Sequence, residues 1–247
     1  MGADQHIQWT GAVASALEWW RDAGIDALAE EAPRDWFAAP APPLAQKHVA
    51  PNQPAAPVVV PLPDRLDAFL AWRMGPDAPE AGWHGIAPLA AHGSADADLM
   101  VLVDTPERED SSRLLDGAAG RLFDRMLAAI GMTRDDVYLA TLCTVRPLAG
   151  RIAPEVEQRL AEIARHYVGL VAPKRLLILG NATSRALLAA DVTRARGSLH
   201  RINHSSAIRE SGTEAVASFH PRLLLERPAQ KAEAWRDLQM LIGGTGS

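Results

Sequence analysis

His220 closes a short apolar run, Val216-Ala217-Ser218-Phe219, and is followed at once by Pro221. The chemistry on offer is that of an imidazole held at the end of a strand. Pro221 fixes its own φ and has no N–H, so a strand through this run stops there. It also holds His220 extended and presents the ring at the strand's C-terminal edge. In an open α/β sheet that edge is where ligands bind. An isolated His-Pro is equally the signature of a histidine packed at a strand end, so the neighbours decide its meaning.

Those neighbours are cationic. Arg146, Arg151, Arg194, Arg196, Arg201, Arg222 and Arg227 all fall in stretches after predicted strands. Gathered at one sheet edge, they make a rim suited to phosphates; scattered, they are a solvated surface. His200 and His204, in Leu199-His200-Arg201-Ile202-Asn203-His204, lack a third metal ligand in view, and the stretch reads as an exposed loop. Cys143 is the one cysteine, which excludes an internal disulfide framework and an all-cysteine metal or iron–sulfur site within one chain. It reads as a small buried residue.

With 247 residues and 48% hydrophobic content, the chain suffices for one large domain with an appendage. Its net charge of −5 argues against a basic nucleic-acid-binding tail. The distribution is more informative. Residues 1–140 hold 10 basic and 21 acidic side chains, residues 141–247 hold 15 and 9. A basic back half suits an anionic ligand. No apolar run approaches a membrane span and no leader pattern is visible, so a cytoplasmic protein without a membrane partner is expected.

The elements that must position these residues follow from apolar patterning. Residues from about Trp9 to Ala23 form an amphipathic helix stopped by Gly24. Residues 33–63 carry nine prolines and read as an extended linker. Asp64–Trp72 is a short helix capped by Asp64, and Gly75–Gly93 is loop. The main domain spans 64–247, with its core from about 98 to 241 and residues 1–32 as an appended helix. Its predicted strands are Leu99–Val103, Asp136–Leu142, Arg175–Leu179 and Ala215–Phe219. Helices at Gly117–Ile130, Pro154–Val171, Ala182–Ala190 and Pro228–Ile242 alternate with them. Such alternation predicts an α/β fold: a central, mostly parallel four-stranded sheet between helical layers, three layers in all.

Several strand ends then align with a known pattern. Val101-Leu102-Val103-Asp104-Thr105-Pro106, Gly117 to Leu122, Val137 to Thr141 and Arg146-Pro147 come in order. Pro173 to Gly180, Arg196-Gly197, Phe219-His220-Pro221 with Leu223-Leu224-Leu225, and Lys231 with Trp235 to Leu238 follow. This series resembles the uracil-DNA glycosylase superfamily, in particular its family 4 branch. The resemblance implies the three-layer fold of that family and a chemistry in which a deoxyuridine is flipped out of DNA and its N-glycosidic bond hydrolysed.

What the resemblance implies for the site goes residue by residue. The family's acid, in a Gly-Glu-Ala-Pro-Gly motif, falls on Asp104, which keeps the charge with one methylene less reach. Pro106 is retained, while the flanking glycines are replaced by Val103 and Glu107. The aromatic that stacks on the base falls on Leu115, and the base-reading asparagine on Thr141, whose hydroxyl cannot make an amide's paired contact. The histidine that stabilises the departing base falls on His220. Arg146, Arg196 and Arg222 fall on the DNA side. Leu223, Leu224 and Leu225 match the loop that wedges into the duplex, although the start of a buried helix explains them nearly as well. The family's iron–sulfur ligands fall on Val145, on or near Leu160, and within Trp72–Trp83, none of them cysteine. No cofactor is therefore expected. The implied partner is DNA, protein partners stay open, and the chain is expected to act as a monomer.

Three functions stay open at this point. The first is a glycosylase for uracil or another deaminated base, with weak or altered activity carried by Asp104 and His220. The second is a catalytically silent DNA-binding or repair-scaffold descendant. In the third, Glu107 and Leu115 shape a pocket for an unrelated small ligand. Function belongs to the site, and the fold alone does not choose.

Overall fold

Leu99–Val103 offers five successive apolar side chains, which only an interior strand can bury on both faces at once. In the computed structural model these residues form β1, buried along its whole length. The structure describes residues 13–15, 18–20, 22, 61–83, 87–147, 152, 154–203 and 212–243. Val137–Thr141 (β2), Arg175–Leu179 (β3) and Thr213–Ser218 (β5) repeat the pattern of β1. β1 pairs in parallel with β2 on one side and β3 on the other, and β3 pairs in parallel with β5. A fifth strand, β4 (Leu199–Ile202), runs antiparallel on the outer edge of β5, giving the order β2-β1-β3-β5-β4.

The sheet therefore has five strands rather than four. The missing one lies where an exposed loop was expected, around His200. Along β4 only Ile202 is buried, and Leu199 is 46% exposed. An edge strand covered on one side lacks the continuous apolar run that marks its central neighbours.

The helices are α1 (Leu66–Arg73), α2 (Ala118–Ala129), α3 (Pro154–Val171), α4 (Asn181–Leu188), α5 (Val192–Ala195), α6 (Pro221–Glu226) and α7 (Lys231–Gly243). Successive strand residues point to opposite faces, and two separate cores result. Met100, Leu102, Leu176 and Ile178 pack with Phe69 of α1 and with Leu160, Ile163 and Tyr167 of α3. Val101, Val103, Leu177 and Val216 pack with Phe123 and Leu127 of α2, Leu224 of α6 and Leu238 of α7. This is the expected α/β/α sandwich.

Several boundaries move by one or two residues, and two of the changes alter the local structure. Arg65, not Asp64, sits at the N-cap of α1, and no side chain caps it; Arg65 is paired instead with Asp67. The closing helix opens with a separate 3-10 turn, Pro228–Gln230, ahead of α7.

Residues 1–58 and 59–247 are two separate units. In the first, residues 13–15, 18–20 and 22 are helical, within the helix expected there. Most of the Pro/Ala segment, together with Arg151 and His204, lies outside the described residues. Among the described residues no helix is long and apolar enough to cross a membrane.

Register fixes what comes next. Val103 lies opposite both Thr141 and Leu179, and Leu179 lies opposite Ser218. The parallel strands all stop at one level. Asp104, Leu142, Gly180 and Phe219, each the first residue past a strand, share that edge. Because the chain leaves β1 for β2 on one side and returns to β3 on the other, the crevice between β1 and β3 is the switch point at which open α/β sheets bind ligands.

Candidate functional site

Asp104 leaves β1 into that crevice. Its Oδ1 accepts hydrogen bonds from the amide and the hydroxyl of Thr183, both at 2.8 Å, in the first turn of α4. The carboxylate thus caps a helix that starts without a cap of its own. Gly180 makes this possible. It has φ +121°, and a Cβ there would collide with the Asp104 carboxylate. Burial pushes the Asp104 pKa up, while the Thr183 and Ala182 amides and Arg185 pull it back down.

His220 occupies the N-cap of α6 with φ −62° and ψ 139°, the extended conformation that Pro221 demands. Its Nδ1 accepts from the Arg222 amide at 3.2 Å. The ring is 7% exposed. Burial, with the nearby charges of Arg222 and Arg146, pulls its pKa down to about 3. At neutral pH the imidazole is therefore uncharged, and since Nδ1 is an acceptor the proton sits on Nε2. That Nε2–H faces Glu107, whose Oε1 lies 3.7 Å away.

Glu107 also faces two guanidinium groups. Its Oε2 is 3.7 Å from Arg222 Nη1 and 3.8 Å from Arg146 Nη1. Its own amide donates to Asp110 Oδ2 at 2.8 Å, which fixes the loop. Burial pushes its pKa up, against the pull of the two arginines.

Three cavities open around this cluster. One of about 450 Å³ is lined by Asp104, Thr105, Arg146, Asn181, Arg185 and Arg222 among others. A second, of about 490 Å³, reaches Asp104, Gly180, Asn181, His220, Arg222 and Leu223. A third, of about 360 Å³, is lined by Glu107, Arg146, Arg222 and Leu225 with neighbours on their loops. Arg222 touches all three.

The structure thus brings Asp104, His220, Arg146, Arg222 and Leu223 together at one edge. Pro106 is buried beside them, its carbonyl accepting from Arg146 at 3.2 Å. Other expected residues lie elsewhere. Leu115 is 1% exposed, with φ +54°, in the core beneath the sheet. Its amide donates to Asp110, and its carbonyl accepts from Arg134. Thr141 is buried and spends its hydroxyl on the Cys143 carbonyl at 2.6 Å. Neither lines these three cavities. Arg196 is turned inward. It pairs with Glu233 and Asp237 and lies over the Phe219 ring, 5.0 Å from its centroid. Leu224 is 1% exposed, whereas Leu225 is 42% exposed. Leu225, of the expected wedge, lines one cavity, and Asn181 and Arg185 line the cavities without having been singled out. The Gly180-Asn181 turn after the third strand was the available signal for the latter two.

Behind β2 a second charged cluster holds the strand's exit. Arg73 Nη1 lies 2.6 Å from Glu80 Oε1, with side chains 3% and 1% exposed. Arg73 Nη2 donates to the Leu142 carbonyl, and the Thr144 amide and hydroxyl donate to Glu80. Cys143, between them, is fully buried, and burial pushes its thiol well up. Leu160 is buried in the apolar core, and Val145 is buried beside the Arg73–Glu80 pair. His200 Nε2 is engaged with the Ala195 carbonyl at 2.7 Å. Among the described residues no group of three or more His, Cys, Asp or Glu is placed to hold a metal.

The family model of the uracil DNA glycosylase superfamily matches residues 90–239. The chain is 28% identical over 158 residues to the type-4 uracil-DNA glycosylase of Pyrobaculum aerophilum, covering 62% of this chain and 80% of that protein. Against the type-4 uracil-DNA glycosylase of Archaeoglobus fulgidus the identity is 23% over 158 residues, covering 60% and 77%.

Proposed function

We propose that this chain, which belongs to the uracil-DNA glycosylase superfamily, is a DNA glycosylase-type hydrolase acting on a flipped uracil or other deaminated base. The observation that carries the reading is His220: a buried, neutral imidazole that lines a cavity with Asp104, its Nε2–H unbonded 3.7 Å from Glu107. A base swung into the cavity between β1 and β3 meets this donor. As the N-glycosidic bond breaks, its electron pair goes to the base, and Nε2–H donates to the base oxygen that gains the charge. Asp104 supplies negative charge toward the sugar cation and the attacking water. Water adds hydroxyl to C1′ and a proton to the released base. Arg146 and Arg222 take the phosphates, and the exposed Leu225 serves as the apolar wedge.

The alternative is a silent DNA-binding descendant. Two observations favour it: the Thr141 hydroxyl is already committed, and Glu107 stands before His220. Neither reading routes a step through an iron–sulfur cluster. Val145, Leu160, Arg73 and Glu80 present no thiolate, and a buried cation where ligands would stand does not fit one.

Single-turnover incubation with oligonucleotides carrying uracil, hypoxanthine or xanthine tests the proposal, with abasic sites read by alkaline cleavage. The expected result is cleavage of at least one substrate, reduced by about 10²–10³-fold in His220→Ala. Folded protein that binds these oligonucleotides and cleaves none of them supports the silent reading instead.

A further inference from the structure

Three donors converge on one carboxylate at the mouth of the cleft. Arg146 arrives from the segment after β2, and His220 and Arg222 from the start of α6. Glu107 meets all three at 3.7–3.8 Å. A set of donors that converges this way is an oxyanion site, and here the chain supplies the oxyanion. None of the three contacts is short enough for a hydrogen bond. The head is centred by charge rather than clamped, at the end of a flexible side chain. The loop beneath it is fixed by two bonds, Glu107 N to Asp110 and Arg146 to the Pro106 carbonyl. The anchor is rigid and the carboxylate can swing.

We infer that Glu107 is the specificity-determining residue of this cleft, an internal counter-anion that an external oxyanion must displace before it meets Arg146 and Arg222, and whose departure frees His220. This rests on the proposal that the cleft receives DNA. The displacing oxyanion is either a DNA phosphate or a free one. A ligand with no anion to exchange gains nothing from these donors. A correctly seated DNA strand moves Glu107 aside and uncovers the Nε2–H of His220.

The test uses the full chain, with Glu107→Gln (same shape, no charge), Glu107→Asp (charge retracted) and Asp135→Asn. Asp135 is exposed in the turn before β2, at the opposite end of the sheet. Binding of a single-stranded oligonucleotide bearing an abasic analogue is followed by fluorescence anisotropy across a salt series. Glu107→Gln is expected to bind about tenfold tighter, with a log–log salt slope steeper by about one. Glu107→Asp falls between it and the wild type, and Asp135→Asn changes affinity by less than about threefold. Should Glu107→Gln not fold, Glu107→Asp carries the same test at smaller amplitude. Equal gains for Glu107→Gln and Asp135→Asn, or wild-type DNA binding that Glu107→Gln leaves unchanged, overturn the inference.

A parallel titration with inorganic phosphate, read through the His220 imidazole resonances, separates the two sources. Stronger phosphate binding by Glu107→Gln while neither protein binds DNA upholds the inference and defeats the DNA reading. Wild-type DNA binding that Glu107→Gln leaves unchanged does the reverse.

Discussion

Two clusters of arginine and glutamate flank the segment that leaves β2, and they differ in every respect that matters. Arg73 and Glu80 are 3% and 1% exposed and meet at 2.6 Å. Arg73 Nη2 also donates to the Leu142 carbonyl and Glu80 Oε1 accepts from Thr144, while Glu80 Oε2 is buried without a hydrogen-bond partner. Two residues further on, Arg146 enters the second cluster. There Glu107, Arg146 and Arg222 are 13%, 26% and 48% exposed and stand 3.7–3.8 Å apart. In a buried pair neither side chain can be removed without stranding the other's charge in the interior, so the pair acts as structure and resists exchange. In the half-open cluster the partners are loose and the charges still face solvent, so a ligand can replace one of them. The first cluster ties α1 and its following loop to the sheet edge, and so places Arg146 for the second.

The largest effect should come from breaking the tight pair on one side only. Glu80→Gln leaves Arg73 charged and unpaired in the interior, with an expected loss of about 3–5 kcal/mol in denaturant unfolding. Replacing both residues with apolar ones of similar volume should recover most of it. Recovery failing in well-packed double variants would mean that the bonds to Leu142 and Thr144, not the charge pairing, hold the arm.

A smaller effect separates two arginines of the same predicted rim. Arg196→Gln removes a partner from Asp237, which is fully buried and otherwise accepts from Ser218. It should lose about 1–3 kcal/mol of stability and leave DNA affinity unchanged. Arg222→Gln should do the opposite: intact stability, with a salt slope for DNA binding shallower by about one. Equal DNA defects in both would return Arg196 to the rim.

The smallest signal is an absence of titration. With a native pKa of about 3, His220 should show a flat NMR profile from pH 8 to pH 5. An unfolded imidazole protonates near pH 6.5. The contribution of this ring to stability is therefore complete above that value and is lost as pH falls from there toward about 3. A midpoint near 6.5 in the folded protein would place the ring in solvent and contradict the cleft described above.

These particulars also show what a sequence can carry. Strands β1, β2, β3 and β5 were legible because burial on both faces writes an unbroken apolar run. β4 was not, because an edge strand buries one residue in four and spells a loop. His220 was legible through Pro221, a local steric rule. Arg196 and Arg222 were indistinguishable, since one guanidinium reads like another until the fold turns one toward Asp237 and the other toward the cleft. Leu223, Leu224 and Leu225 differ by the phase of a single helical turn, which sends Leu224 into the core and leaves Leu225 exposed. The meeting of Glu107 with His220 spans more than a hundred residues of chain, and no local pattern announces it.

The most direct test of the contrast is a paired measurement on Glu80→Gln and His220→Ala. Single-turnover excision would be normalised to the folded fraction and set beside unfolding free energy. The account predicts that Glu80→Gln loses stability and keeps its rate per folded molecule, while His220→Ala, whatever stability it gives up with the buried cap of α6, loses its rate per folded molecule. The opposite pattern, with excision lost in the Glu80 variant and retained in the His220 variant, would contradict the assignment of the first cluster to structure and of the cleft to chemistry.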